Sequence, residues 1–169
     1  VPPRLPAPAF VDLPLLPRET ILDPLLTNRT QALLYGPRGL GKSFVALGIA
    51  CAVASGGSFL GWKAARPRRV LYVDGEMAAD ELRQRLLMFG PPPPLLDLMV
   101  TDLDVWNSLD LCHRDGILDL ASNWGRPELV VIDNLSSLAG HRRGNPDRWH
   151  ELQRFLLVQR RVGRSMLLV

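Results

Sequence analysis

A run of eight residues has the composition of a phosphate-binding loop. It matches the pattern G-x-x-x-x-G-K-S/T and comprises Gly36, Pro37, Arg38, Gly39, Leu40, Gly41, Lys42 and Ser43. Its glycines allow successive backbone N–H groups to turn towards phosphate oxygens, while a lysine ammonium reaches the β- and γ-phosphates. The serine hydroxyl is a ligand for Mg²⁺. The sequence therefore predicts a site for ATP with Mg²⁺, and Phe44, the next residue, is included among the nucleotide contacts.

A carboxylate at the end of a strongly apolar segment is the candidate second ligand for the metal. Asp133 follows Leu129–Ile132, four aliphatic residues typical of a strand buried on both faces. An aspartate here can also simply cap the following turn. Because a phosphate loop is present, the metal-binding role for Asp133 is favoured.

The residue that activates water is expected on a different strand. Asn134 follows Asp133, where many ATPases have a glutamate, so the base must come from elsewhere. Glu76 lies just beyond a second apolar segment, and the carboxyl ends of parallel strands meet at one edge of a sheet. Glu76 is the candidate catalytic base, acting with Lys42. Three roles stay open for Asp74: binding the metal, orienting a loop, or simply forming a turn.

The elements that must position these residues alternate between strand and helix. Strands are predicted at about 31–35 (buried), 69–73, 128–133 and 165–169, with a weaker one near 98–100 or 103–106. Helices are predicted at about 42–55, 79–89 and 113–124, and from Pro146 onward after Asn145 as N-cap. This order predicts the α/β class, a three-layer αβα fold with a mostly parallel sheet.

The amino-terminal segment is separated from this pattern by its prolines. Residues 1–17 contain six prolines, which predicts an extended arm or linker rather than a packed element. The domain is expected to cover 18–169. The chain ends within an apolar run at Val169, so we expect a sheet that is truncated at its carboxyl-terminal side.

Composition restricts the class of protein further. The net charge of +3 allows a nucleic-acid partner without requiring one. No apolar run reaches the roughly 18 residues that cross a bilayer, and the chain lacks a secretory signal, so we expect a soluble, cytoplasmic protein without a membrane partner. Cys51 and Cys112 are far apart and are expected to be reduced and partly buried.

The ordered motifs resemble those of a known family. The segments LLYGPRGLGKSFVALGIACAVASGG, RRVLYVDGEM, ELVVIDNLSSLAG and NPDRWHELQRFLLVQRRVGRSMLLV are similar to RecA-like P-loop ATPases, specifically RepA-type hexameric helicases and related AAA-family ATPases of plasmids, phages and mobile elements. The resemblance implies ATP hydrolysis, with Glu76 as catalytic glutamate and Asp133 as the Mg²⁺ acid. It also implies that the last strand lies between the phosphate-loop strand and the Asp133 strand.

The resemblance carries expectations about partners as well. It implies a homo-oligomer, a hexameric ring, and a loop that contacts single-stranded DNA; the corresponding residues are His141, Arg142 and Arg143. This loop is basic, as a backbone-binding loop requires, but a solvent-exposed loop without a partner has the same composition.

Two other classes of function remain open at the level of sequence. One is a small-molecule or nucleotide kinase, for which the arginines at 66, 68 and 69 are the nearest approach to a lid. The other is a nucleotide-switched regulatory module. A GTPase is disfavoured because the chain has no Asn-Lys-x-Asp motif.

Overall fold

The computed structural model describes residues 4–103, 109–111, 116–117, 120, 125–138 and 146–169, excluding the side chains of 146–149. The strands are β1 (Thr20–Leu22), β2 (Leu26–Thr27), β3 (Gln31–Leu33), β4 (Ser58–Phe59), β5 (Trp62–Lys63), β6 (Val70–Asp74), β7 (Leu96–Val100), β8 (Leu129–Asp133) and β9 (Ser165–Leu168). The helices are α1 (Ala7–Val11), α2 (Lys42–Ser55), α3 (Ala79–Leu87), α4 (Leu135–Leu138) and α5 (Pro146–Arg161), with a 3-10 turn at Thr101–Leu103.

Five parallel strands form the central sheet, in the order β3-β9-β8-β6-β7. The last strand, β9, therefore lies between the phosphate-loop strand β3 and the Asp133 strand β8, as the resemblance implied. Two short antiparallel hairpins, β1-β2 and β4-β5, lie outside this sheet. The predicted α/β class with a mostly parallel sheet is confirmed.

Two apolar clusters cover the two faces of the sheet. On one face, α2 contributes nine consecutive buried residues, Ala46–Ala54, because its alanines and aliphatic residues are apolar on every side. On the other face, Leu152 and Phe155 of α5 pack against alternate residues of the strands. Within β8, Val131 joins the first cluster whereas Val130 and Ile132 join the second, as the two-residue period of a strand requires.

Several predicted elements agree with the structure, and others need correction. Helix α2 has the predicted bounds and ends at Gly56 in the left-handed conformation. Strand β3 was expected to be buried, but Leu33 is 60% exposed. The reason is that β3 lies at the sheet edge with β9 as its one strand neighbour among the described residues. The weaker strand is β7, at the first of its two predicted places, while 104–106 lie outside the described residues.

The amino-terminal segment is also only partly as predicted. The described part of the proposed arm, residues 4–17, is exposed throughout, but it contains the short helix α1 and so is not wholly extended. The helix begins after Pro6, with proline in its first turn, where the missing N–H costs no hydrogen bond. The chain first packs into the core at Ile21 and Leu22.

The amino ends of β6 and β8 are joined by an ion cluster that the sequence did not predict. Arg68, 2% exposed, donates to Glu128 at 2.5 Å, to Glu19 at 2.8 Å and to the Thr20 carbonyl at 2.9 Å. Arg66 donates to both carboxylates at 3.1 Å. Because hydrogen bonds from Arg68 and Arg66 favour its charged form, the pKa of Glu19 lies below its ordinary value. The four side chains, hereafter the arginine cluster, thus balance two positive charges with two negative ones.

Candidate nucleotide site

The phosphate loop connects β3 to α2 and presents its backbone to solvent. Gly39 and Gly41 have φ of 83° and 80°, in the left-handed region that glycine adopts without strain. Gly41 is the N-cap of α2, so the positive end of a 14-residue helix points into the loop. The Lys42 ammonium donates to the Gly36 and Pro37 carbonyls, both at 3.0 Å, and therefore folds over the loop. This is the arrangement from which a lysine reaches bound phosphate.

Two buried carboxylates lie side by side next to this loop. Asp74 and Asp133 end β6 and β8, occupy paired register positions and are 1% and 3% exposed. Burial raises the pKa of Asp74 to about 6, and the charge of Asp133 adds to this effect, against hydrogen bonds donated by the backbone of Met77 and Glu76. Unlike the arginine cluster, this edge of the sheet holds negative charge without an arginine or lysine paired to it in any described ion pair.

A buried tyrosine hydroxyl connects Asp133 to the phosphate-loop helix. The Tyr72 hydroxyl donates to Asp133 Oδ2 at 2.5 Å and lies 3.4 Å from the Ser43 carbonyl oxygen. Burial, together with the charge of Asp133, raises the pKa of Tyr72, so the phenol stays protonated and remains a donor. Asp133 is therefore linked to the backbone of Ser43, the other predicted metal ligand, by a residue that sequence reasoning did not single out.

The predicted base is held by the residue that follows Asp133. Asn134 Nδ2 donates to Glu76 Oε2, so the loop after β6 meets the turn after β8. The other end of the same amide, Oδ1, accepts from the Ser137 N–H at 2.8 Å and from the Ser136 hydroxyl at 2.7 Å. The Glu76 side chain is exposed.

The roles of the remaining predicted site residues stay predictions. The Phe44 ring packs on Phe89 with centroids 4.7 Å apart, so it belongs to an aromatic cluster, and its predicted nucleotide contact stays a prediction. His141, Arg142 and Arg143 lie outside the described residues. The arginines once considered for a kinase lid belong in part to the arginine cluster, at the opposite edge of the sheet from the phosphate loop.

The donor set fits Mg²⁺ bound together with a triphosphate. Within the described ranges there is no group of three His, Cys, Asp or Glu side chains that could hold a metal alone. Mg²⁺ in nucleotide sites usually takes one or two protein oxygens and fills its octahedron with phosphate oxygens and water. The Ser43 hydroxyl and a carboxylate oxygen of Asp133 are the groups that would hold it here.

Two residues of this site could have been suspected from their types. Tyr72 interrupts an aliphatic strand, and a phenol buried in such a strand needs a hydrogen-bond partner. Asn134 stands at the start of a predicted turn, where asparagine commonly caps a helix. Neither signal names the partner, because Asp133 and Glu76 are 61 and 58 residues away in sequence.

The strand order, the phosphate loop and the acids at two strand ends define a RecA-like P-loop ATPase. Residues 2–166 match the family model described as an AAA domain, and the chain belongs to this family of nucleotide-binding ATPases. A comparison with curated proteins finds no match.

A solved structure supports the fold. The chain is similar to the crystal structure of a KaiC-like protein from the hyperthermophilic archaeon Pyrococcus horikoshii OT3, with a TM-score of 0.58 and 19% identity. The alignment covers 88% of this chain and 63% of that protein, so the chain spans less than two thirds of that protein's length. At this identity the likeness establishes the fold. In the part of the chain that the structure describes, no helix has the length and apolar character needed to cross a membrane.

Proposed function

We propose that this chain binds ATP with Mg²⁺ and hydrolyses it. The observation that carries the proposal is the Tyr72 hydroxyl, which lies 2.5 Å from Asp133 Oδ2 and 3.4 Å from the main-chain oxygen of Ser43. It supports the proposal because it links Asp133, the candidate metal-binding acid, to the first turn of the phosphate-loop helix. A phosphate loop alone supports binding, whereas a loop with this acid and a nearby glutamate supports Mg²⁺-dependent hydrolysis.

Each predicted site residue has one role in this proposal. The backbone N–H groups of 36–43 cradle the phosphates, and Lys42 moves from the Gly36 and Pro37 carbonyls to the β- and γ-phosphates. Ser43 and Asp133 hold Mg²⁺, which neutralises phosphate charge when bound. Glu76 accepts a proton from the attacking water. Asp74 orients the 75–77 loop through the Met77 N–H, at 2.9 Å.

The biological setting is a further part of the proposal. We place the ATPase domain at residues 18–169, with 1–17 as an arm, in the motor of a RepA-like DNA helicase or replication ATPase that acts in the cytoplasm. The support is the resemblance of the motifs and the basic stretch His141-Arg142-Arg143 as a contact to single-stranded DNA. A hexameric ring follows from the same resemblance. A kinase has less support, because Arg66 and Arg68 are already paired with acids far from the loop.

Release of phosphate from ATP tests the hydrolysis proposal. We expect hydrolysis by the purified chain to require Mg²⁺ and to fall at least roughly 100-fold in Lys42→Ala and Glu76→Gln. Lys63→Ala and Glu81→Gln are the matched controls, because both side chains are exposed and lie outside the site. If both site variants hydrolyse ATP at the rate of their controls, the assignment of the site is wrong.

A second measurement tests the DNA-dependent motor separately. We expect single-stranded DNA to raise the hydrolysis rate and replacement of Arg142 and Arg143 by alanine to remove that increase while leaving the DNA-free rate unchanged. A rate that is indifferent to DNA in a preparation that hydrolyses ATP would refute the motor and leave the ATPase standing.

A further inference from the structure

The amide of Asn134 has one permitted orientation. Its Oδ1 accepts from the Ser137 N–H at 2.8 Å and from the Ser136 hydroxyl at 2.7 Å, which places Asn134 as the cap of α4. Rotating the amide by 180° would turn its NH₂ group against the Ser137 N–H and its oxygen against the Glu76 carboxylate. Both contacts would then be repulsive, so the NH₂ group must face Glu76.

This contact restrains an otherwise exposed carboxylate. Glu76 projects from a loop, and an unrestrained glutamate side chain loses rotamer entropy when it is ordered. Glu76 Oε2 is occupied by the Asn134 donor. A single hydrogen bond to one carboxylate oxygen leaves the other oxygen available as a proton acceptor.

The position of Asn134 depends in turn on α4. The Leu135 N–H donates to the Val169 carbonyl at 2.8 Å, and the Leu138 carbonyl accepts from the Leu111 N–H at 2.6 Å. At its far end α4 lies directly on the loop that carries Glu76, since a Cβ added at Gly75 would lie 2.5 Å from Leu138 Cγ. Helix α4 therefore contacts both sides of the Asn134–Glu76 pair.

We infer that Asn134 is a positioning residue that holds Glu76 ready for catalysis, and that α4 fixes the Asn134 amide in the orientation this requires. The inference rests on the proposed role of Glu76 as the base.

Asn134→Asp isolates the donor from the cap. An aspartate keeps the oxygen that accepts from Ser137 but replaces the donor with a second carboxylate facing Glu76. We expect kcat for ATP to fall about 100-fold, with KM changed less than about threefold. Asn134→Ser, which is neutral and also caps, should lower kcat about tenfold because its hydroxyl is too short to reach Glu76. Asn28→Asp, which keeps the acceptor for the Glu19 N–H, is the matched control with unchanged kcat.

The same variants in the Glu76→Gln background separate positioning from a general structural effect. We expect Asn134→Ser to add no further loss of rate there, because the group it positions has gone. A kcat for both Asn134 variants within twofold of Asn28→Asp, while Glu76→Gln lowers turnover at least roughly 100-fold, would overturn the inference and leave the ATPase intact. If Glu76→Gln itself has no effect, the proposed function fails and the inference fails with it.

A measurement without nucleotide completes the test. In a ¹H–¹⁵N spectrum of the ligand-free protein, the side-chain NH₂ resonances of Asn134 should shift when Glu76 is replaced by alanine, and those of Asn28 should not. Unshifted Asn134 resonances would show that the hydrogen bond is absent in solution and would overturn the inference.

Discussion

The central sheet holds charged groups in opposite ways at the two ends of its strands, hereafter the amino edge and the carboxyl edge. At the amino edge, the arginine cluster pairs the guanidinium groups of Arg66 and Arg68 with the carboxylates of Glu19 and Glu128. At the carboxyl edge, Asp74 and Asp133 are buried side by side with tyrosine and backbone donors. The pKa of Glu19 is lowered, whereas the pKa of Asp74 is raised to about 6.

This difference indicates which edge stabilises the fold and which serves function. Removing one partner from a buried ion cluster leaves an uncompensated charge, so the cluster makes the folded state sensitive to loss of any member. Two neighbouring buried carboxylates raise the free energy of the folded state, and a cation bound beside them would offset that cost. Function is therefore expected at the carboxyl edge, where the phosphate loop also lies.

Removing one negative charge from the carboxyl edge should separate activity from stability. In Asp133→Asn we expect Mg²⁺-dependent hydrolysis to fall roughly 100- to 1,000-fold, because a metal ligand is lost. The free energy of unfolding should stay level or rise, because repulsion with Asp74 is relieved. Phosphate release and urea denaturation measure the two quantities. Asp97→Asn, exposed on β7, is the control; a clear loss of stability confined to Asp133→Asn would contradict the comparison.

Breaking the arginine cluster should lower the free energy of unfolding and leave activity unchanged. Arg68→Met keeps much of the buried stem but removes the charge and its hydrogen bonds, so we expect the free energy of unfolding to fall by roughly 2–3 kcal/mol. Activity per folded molecule should be unchanged at a temperature where the variant is folded. The neighbouring exposed Arg69→Met provides the baseline. A large change in kcat in Arg68→Met would mean that the two edges are not independent.

The pH dependence of stability should differ in sign between the edges. Asp74 has a folded-state pKa of about 6, above its ordinary 3.8. Its contribution to the free energy of unfolding is therefore full below pH 4 and is lost as the pH rises through 6. Asp74→Asn should remove about 2 kcal/mol of this loss between pH 4 and 7. Glu19, with its lowered pKa, contributes above its unfolded pKa and loses that contribution on further acidification. Equal pH slopes for wild type and Asp74→Asn in urea denaturation would refute the assignment for Asp74.

The smallest effect concerns the tyrosine that serves the carboxyl edge. Tyr72→Phe retains the packed ring but removes the donor to Asp133, and we expect a loss of about 1 kcal/mol in the free energy of unfolding. Tyr35→Phe, at a side chain that is 84% exposed, should have no measurable effect. Thermal or urea unfolding of the two variants gives the difference. Equal stability of both would mean that the Tyr72 hydroxyl is not a significant partner of Asp133.

Local sequence patterns predicted the elements whose formation depends on residues close together in the chain. Helix α2 follows from its uninterrupted alanine and aliphatic run and its terminal glycine, and β8 from four aliphatic residues before Asp133. The phosphate loop was identifiable because its chemistry is contained in eight consecutive residues. These features need no knowledge of distant partners.

The errors and omissions depend on neighbours that local sequence does not specify. Leu33 has the composition of a buried strand residue, but its exposure follows from the place of β3 at the sheet edge. Arg68 is buried because Glu19 and Glu128 come together above the amino edge, although both are 49 or more residues away in sequence. The partners of Tyr72 and Asn134 were missed for the same reason.

The edge position of β3 has a consequence for hydrogen exchange. The Leu34 N–H is bonded to the Leu168 carbonyl at 2.8 Å, whereas the N–H of Leu33 points the opposite way, because amides alternate along a strand. The phosphate loop thus follows a strand whose amides alternate between slow and fast exchange with deuterium. Strand β8, bonded on both sides, should exchange only through larger openings of the sheet. We therefore expect the strand before the phosphate loop to exchange through local openings while the strand carrying Asp133 stays protected.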